Sequence, residues 1–268
     1  MKVNENLTLA ERMKAAIVAK IVRAGLVPEG EAHRITLADV PYFMEWATGF
    51  GGIWLVGETE AGEEFFYTTE QWSALDDATR EARLKRAAGM LFRARGQEFT
   101  IALQDCPDSY AWSPEVPEDA ERIVVNIPNR SGVGSATIDF NGQKNTDALL
   151  AVESPAATAA VKYKETGIHG AGLADWYLPA YGHWALIFAY RNKVNAALKA
   201  FFGTNNYLTQ ATFWSSTPYD NERAGALPNP SATLYGTNYS NPFRTTQNKV
   251  RACSQYKCTK RYMIYGKD

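Results

Sequence analysis

Only three cysteines occur in the 268 residues, Cys106, Cys253 and Cys258, an odd number without metal-ligand spacing. That excludes a disulfide framework and a cysteine-based zinc site, and it fits a chain made in a reducing compartment. Histidine is equally scarce. His33, His169 and His183 lie far apart, none in an HExxH or a His/Cys pair, so each is read as structural or surface rather than ligating. No Lys/Arg-rich run is present, and 28 basic residues face 29 acidic ones for a net charge of −1. Without clustered cations to neutralise phosphates, a general nucleic-acid binder is excluded. No apolar run approaches the roughly 18 residues of a membrane helix, so no membrane span is expected. The N-terminus lacks an uncharged core followed by small residues, so no signal peptide is expected and synthesis is placed in the cytoplasm. GxSxG, Walker and GxGxxG motifs are all missing; Gly132 and Gly134 in SGVGS lack the third glycine and a following helix. No cofactor is expected.

What remains is an ordinary globular composition, 46% hydrophobic and 21% charged, enough to bury a sizeable core. At roughly 100–200 residues per domain, two domains are the natural reading. Leu9, Met13, Ala16, Ile17, Ile21 and Ala24 recur at helical spacing, which predicts an amphipathic helix over 7–24. Thr36 with Asp39 three residues on predicts a second, short helix. Two β-prone runs around Thr59-Glu60-Ala61-Gly62 predict a hairpin. Ser73 with Asp76 predicts the start of a helix running through Phe92, which closes a small α+β domain over residues 1–93.

From Gly96 the pattern changes. Phe99, Ile101 and Leu103 alternate as in a strand, and Pro/Gly/Ser-rich connections follow. Asn145 is expected to cap one helix, and Ser154-Pro155 the next, with proline at the first helical position. A third, mostly buried helix is expected over 183–202, and beyond it only short β-prone runs separated by Asn/Pro/Gly/Ser-rich loops. Asp105 and Asp108 beside Pro107 are read as turn formers rather than a catalytic carboxylate pair.

The last quarter of the chain has an unusual composition. Residues 200–268 hold seven of the fourteen tyrosines and seven asparagines, with eight Lys/Arg against three Asp/Glu. Tyr, Ser, Gly and Asn in long loops are the chemistry of a paratope, since tyrosine offers rigid amphipathic area and the small polar residues adapt their hydrogen bonds. The competing reading is that these residues make turns and pack with polar tips.

The order FTIALQD, NGQKNTDALL, an alanine-rich helix, DWYLP followed by a helix, FWSST and a final strand KVRAC resembles C-type-lectin-fold domains of the Lcl C-terminal type. That fold is shared with formylglycine-generating enzymes and with variable proteins of diversity-generating retroelements, phage-tail tropism proteins among them. The resemblance covers about residues 96–256. It implies an α+β chain whose residues 94–268 form a C-type-lectin-like ligand-binding domain, with residues 1–93 as an attachment or oligomerisation domain. It implies a non-enzymatic receptor-binding or adhesin role, a protein or cell-surface ligand, and virion or cell-surface association; self-association would run through the N-terminal helix, the competing reading being a helix that packs on its own hairpin. Trp176, Trp214, Pro179 and Ser215-Ser216-Thr217 are read as scaffold.

In the resembling variable proteins, contact falls between the WSS-type motif and the last strand, which is Pro218–Gln247 in this sequence. The resemblance thus points to Tyr219, Asn221 and Arg223 on one loop. On the next it points to Tyr235, Asn238, Tyr239, Asn241, Phe243 and Arg244, all expected to be exposed. The Glu-Pro-Asn or Gln-Pro-Asp loop and Trp-Asn-Asp strand of calcium-dependent sugar binders are missing, so no calcium site is expected. The alternative is an oxidoreductase akin to formylglycine-generating enzymes using Cys253 and Cys258, five residues apart, although this pair starts inside the terminal strand. A purely structural virion or surface component is a third reading.

Overall fold

A computed structural model describes residues 9–23, 49–114, 125–166, 170–203, 208, 211–228 and 240–255. It divides into two compact units, Ile53–Leu91 with Phe99–Thr259, and Met1–Gly52 with Phe92–Glu98 and Lys260–Asp268. In the smaller unit the amphipathic pattern at the N-terminus forms helix α1, Leu9–Arg23. The short helix expected after Thr36 lies outside the described residues.

The chain is α+β, with mostly antiparallel pairing. β1 (Phe50–Glu58) and β2 (Glu64–Tyr67) form the expected hairpin, Leu55 opposite Tyr67 and Glu58 opposite Glu64. Gly62 closes it at φ 77, a conformation that costs a residue with a Cβ about 1 kcal/mol or more. Helices α2 (Thr69–Ser73) and α3 (Asp77–Leu84) follow.

The helix expected from Ser73 through Phe92 is not one element. Ser73 ends α2, the Asp76 carboxylate caps α3 by accepting from the Thr79 N–H at 2.8 Å, and Ala87–Ala94 is strand β3. All eight β3 residues are buried, so the strand shows no alternation. A short apolar run of that kind cannot be told from a buried helix by periodicity. Arg95 (φ 47) and Gly96 (φ 74) then link β3 to β4, Gln97–Ile101.

Among the described residues there are two sheets. One runs β2-β1-β3-β4-β10-β6, with β6 at Trp176–Tyr177 and β10 at Cys253–Ser254. The other runs β5-β9-β7-β8, with β5 at Ser109–Tyr110, β7 at Thr212–Pro218, β8 at Ala224–Pro228 and β9 at Asn248–Lys249. Its β7·β9 pair is parallel. Helices α4 (Val133–Thr137), α5 (Gly142–Leu150), α6 (Pro155–Lys162), α7 (Tyr181–Ala189) and α8 (Arg191–Phe202) connect them. The single helix expected over 183–202 is interrupted at Tyr190, which takes φ −115 and ψ 21.

Four tryptophans organise the larger unit's core. Trp112, Trp176, Trp184 and Trp214 are fully buried, and each indole N–H donates to a backbone carbonyl: Ser215 at 2.7 Å, Ala171 at 2.6 Å, Trp214 at 2.9 Å and Tyr110 at 2.7 Å respectively. A buried indole needs such a partner, and these four pin irregular chain where regular ladders are short. The scaffold role expected for Trp176 and Trp214 is what the packing shows.

Ser154 is the expected cap of α6. Its buried hydroxyl accepts from the Ala157 N–H at 3.1 Å and donates to the Trp112 carbonyl at 2.5 Å. Ser154→Ala removes a cap and leaves a buried carbonyl without its donor, so urea unfolding is expected to show a loss of about 2 kcal/mol with an unchanged slope. Asn145, by contrast, does not cap α5. It sits inside the helix and donates its amide to Asp139 Oδ2 at 3.0 Å.

Candidate binding surface

The candidate surface starts where β7 leaves the core. β7 and β8 pair Phe213 with Leu227 and Trp214 with Ala226, the register shifts, and Pro218 then faces Ala224. Between them the chain turns tightly: the Tyr219 and Asp220 N–H groups donate to the Arg223 carbonyl at 3.0 and 3.2 Å. The Asp220 carboxylate accepts from the Glu222 and Arg223 N–H groups at 2.8 and 2.7 Å, an Asx-type closure that uses an aspartate's ability to bond its own backbone two residues on.

The second segment, residues 240–244, lies beside this turn. Arg223 bridges Phe243, Ala226 bridges Ser240, and the Arg244 N–H donates to the Glu222 carbonyl at 2.9 Å. The structure therefore brings the segment with Tyr219, Asn221 and Arg223 beside the segment with Asn241, Phe243 and Arg244. Tyr235, Asn238 and Tyr239 lie outside the described residues. Asn221 is exposed and Tyr219, Arg223 and Asn241 are half-buried. Phe243 is 56% exposed, with the Arg223 guanidinium 5.4 Å from its ring centroid. A cation against one aromatic side of this kind contributes about 0.5–1 kcal/mol at an exposed site and fixes both side chains.

Arg244 corrects the expectation of exposure. It is 6% exposed, its guanidinium stacks 4.6 Å above the Trp112 ring, and its Nη2 donates to the Asp220 carbonyl at 2.5 Å. Burial lowers its pKa, while the Asp220 charge acts in the opposite direction. The carbonyl of Arg244 also accepts from the Trp112 N–H at 2.7 Å. Guanidinium is weakly hydrated and flat, so it enters an aromatic-lined interior more readily than lysine does. Arg244 is a clamp beneath the turn, not part of its outer face.

A segment outside the expected window joins the surface. The Arg130 N–H donates to the Pro218 carbonyl at 2.9 Å, and the Asn129 side-chain amide donates to Asn221 Oδ1 at 3.3 Å, across 92 residues of sequence. Nothing local in the sequence marks Asn129, because its partner is defined only by the tertiary fold.

The remaining polar candidates are structural. Asp105, itself half-buried, forms an ion pair with the buried Arg251, whose Nε donates to Oδ1 at 2.5 Å, so it is more than a turn former. Cys106 is buried, and desolvation pushes its thiol up to about 12. Cys253 sits between Ile101 and Tyr177 of its neighbouring strands, and burial raises its thiol well above the ordinary range. A nucleophilic cysteine requires the opposite shift; Cys258 lies outside the described residues. Among the described residues no group of three or more His, Cys, Asp or Glu side chains can hold a metal ion, and no helix is long and apolar enough to cross a membrane.

No protein-family model matches the chain, and no curated protein does. Among solved structures, a fimbrial protein from Bacteroides ovatus ATCC 8483 is similar with a TM-score of 0.42 and 13% sequence identity. The likeness covers 75% of this chain and 42% of that one, so this chain spans less than half of that protein's length. At this level the likeness assigns neither a fold family nor a function.

Proposed function

We propose that the chain is a non-enzymatic binding protein that presents an aromatic, amide and arginine surface on a C-type-lectin-like scaffold, of the kind diversified by retroelements or carried on phage tails. The observation that carries this reading is the Arg223–Phe243 pair. A large aromatic ring is held at the surface by a guanidinium, beside the exposed Asn221, on loops stapled to a tryptophan core. Rigid aromatic anchors surrounded by adaptable amides are the composition of interaction hot spots. The domain division at residue 93 and attachment through the N-terminal residues belong to the same reading, as does surface or virion association.

Sequencing the gene and its flanking DNA from sibling isolates tests it. The expected result is a near-copy of the segment encoding residues 218–251 beside a reverse transcriptase, with differences confined to adenine positions of that copy. An invariant segment without a copy removes the diversified-binder reading. On the protein itself, Phe243→Ala is expected to weaken target-cell binding by about 30-fold or more, corresponding to a hot-spot loss of about 2 kcal/mol, while the melting temperature falls by no more than about 4 °C, the share of the lost Arg223 contact. Unchanged binding removes Phe243 from the site.

A further inference from the structure

The β7–β8 ladder loses register between Trp214 and Pro218, immediately before the turn that carries Tyr219, Asn221 and Arg223. Ladder hydrogen bonds therefore do not by themselves fix where the turn points. Side chains and loop backbone take their place: Ser215 Oγ donates to the Gly225 carbonyl at 2.7 Å, and the Ser216 N–H donates to the Pro179 carbonyl at 2.8 Å. Thr217, the last residue before Pro218, adds a buried carboxylate to its backbone partner. Its hydroxyl donates to Asp139 Oδ2 at 2.7 Å and accepts from the Tyr181 N–H at 2.9 Å.

Asp139 is 2% exposed and is held on every side. Its Oδ1 accepts from the Asn141 N–H at 3.0 Å and the Asn141 side-chain amide at 3.1 Å, and its Oδ2 also accepts from Asn145 at 3.0 Å. Its carbonyl accepts from the Gly182 N–H at 2.9 Å, where a Cβ on residue 182 would come within 2.4 Å of that oxygen. The same segment touches the turn twice more, through Arg130 on Pro218 and Asn129 on Asn221.

We infer that residues 129–139 form a cradle that sets the geometry of the recognition turn, with Asp139 as its positioning residue acting through Thr217. A buried carboxylate offering acceptors on both oxygens can orient a hydroxyl and two amides at once; an amide in its place offers acceptors on one side only. The consequence for binding rests on the function proposed above. A turn fixed in advance loses little freedom when a ligand arrives, which improves affinity without any new contact.

Amide hydrogen exchange on the free protein tests the cradle without a ligand. The reporters are the Tyr219, Asp220 and Arg244 amides, all bonded within or beside the turn, and the controls are Ala102 and Cys106, whose amides donate to Ala252 and Val250 in the core. In Thr217→Val and Asp139→Asn the turn amides are expected to exchange at least tenfold faster relative to the control amides, and Thr217→Ser is expected to restore the wild-type ratio. Turn amides that accelerate only in step with the controls would show a general stability role and overturn the inference. If Asp139→Asn does not fold, the isosteric Thr217→Val and its serine rescue carry the test. Failure here leaves the binding function standing, and an invariant gene segment leaves the cradle standing.

Discussion

Trp112→Ala is expected to lower unfolding free energy by about 4 kcal/mol, the range for emptying a buried tryptophan site. In a chain of this size that is a fall of roughly 8–16 °C in melting temperature. The side chain is fully buried, and several separate contacts meet on the residue. Its indole N–H satisfies the Ser215 carbonyl, its carbonyl accepts from Ser154, and its ring carries the Arg244 guanidinium. Removing the ring leaves a cavity, an unpaired carbonyl and a buried cation without its aromatic floor, all of which act in the same direction. Trp112→Phe isolates one part: the ring stays, the N–H goes, and the expected loss is about 1–2 kcal/mol. Calorimetry on the two variants checks both. An alanine variant within 1 kcal/mol of wild type would show that the core is not built on this tryptophan.

The same residue shows where sequence was informative and where it was not. Signals carried by neighbours in the chain were legible: the proline after Ser154, the glycine closing the 59–62 turn, the polar run of FWSST beside its tryptophan. Signals defined by distant partners were not. Arg244 falls in the window the resemblance marks as exposed, whereas the Trp112 ring beneath it comes from more than a hundred residues away. Asn145 has the chemistry of a cap, but its amide is taken by Asp139 inside the fold. β3 has both its faces covered, which erases the alternation that identifies a strand and leaves the run indistinguishable from a buried helix. Within the proposed window, the split into an exposed face (Asn221, Phe243) and a buried clamp (Arg244) is set by the tertiary fold, as is the contact from Asn129.

Stability is expected to fall by about 3 kcal/mol as the pH drops from 6.5 to 4 through His183 alone. The ring is buried between the edges and faces of Phe99, Phe140 and Tyr177. Its Nδ1 accepts from the Ala180 N–H at 3.2 Å, which places the proton of the neutral ring on Nε2, 3.3 Å from the Tyr177 hydroxyl. Burial lowers its pKa from 6.5 to about 4, and the Asp139 charge offsets only part of that. The folded pKa is thus below the unfolded one. Between the two values the unfolded chain binds a proton that the folded chain refuses, so acidification favours unfolding there; above 6.5 and below 4 the residue contributes no slope. His183→Gln removes the titration but keeps an acceptor at the third position of α7, where glutamine can still bond the capping N–H. Carboxylates whose pKa values are lowered, such as Asp76 and Glu81, are common to both proteins and cancel in the difference. The difference in unfolding free energy between wild type and variant should therefore shift by about 3 kcal/mol across this window, to the disadvantage of wild type at low pH. A difference that stays constant from pH 7 to pH 4 would mean that His183 takes up its proton in the fold at the same pKa as in the unfolded chain, so that burial does not exclude the charged ring.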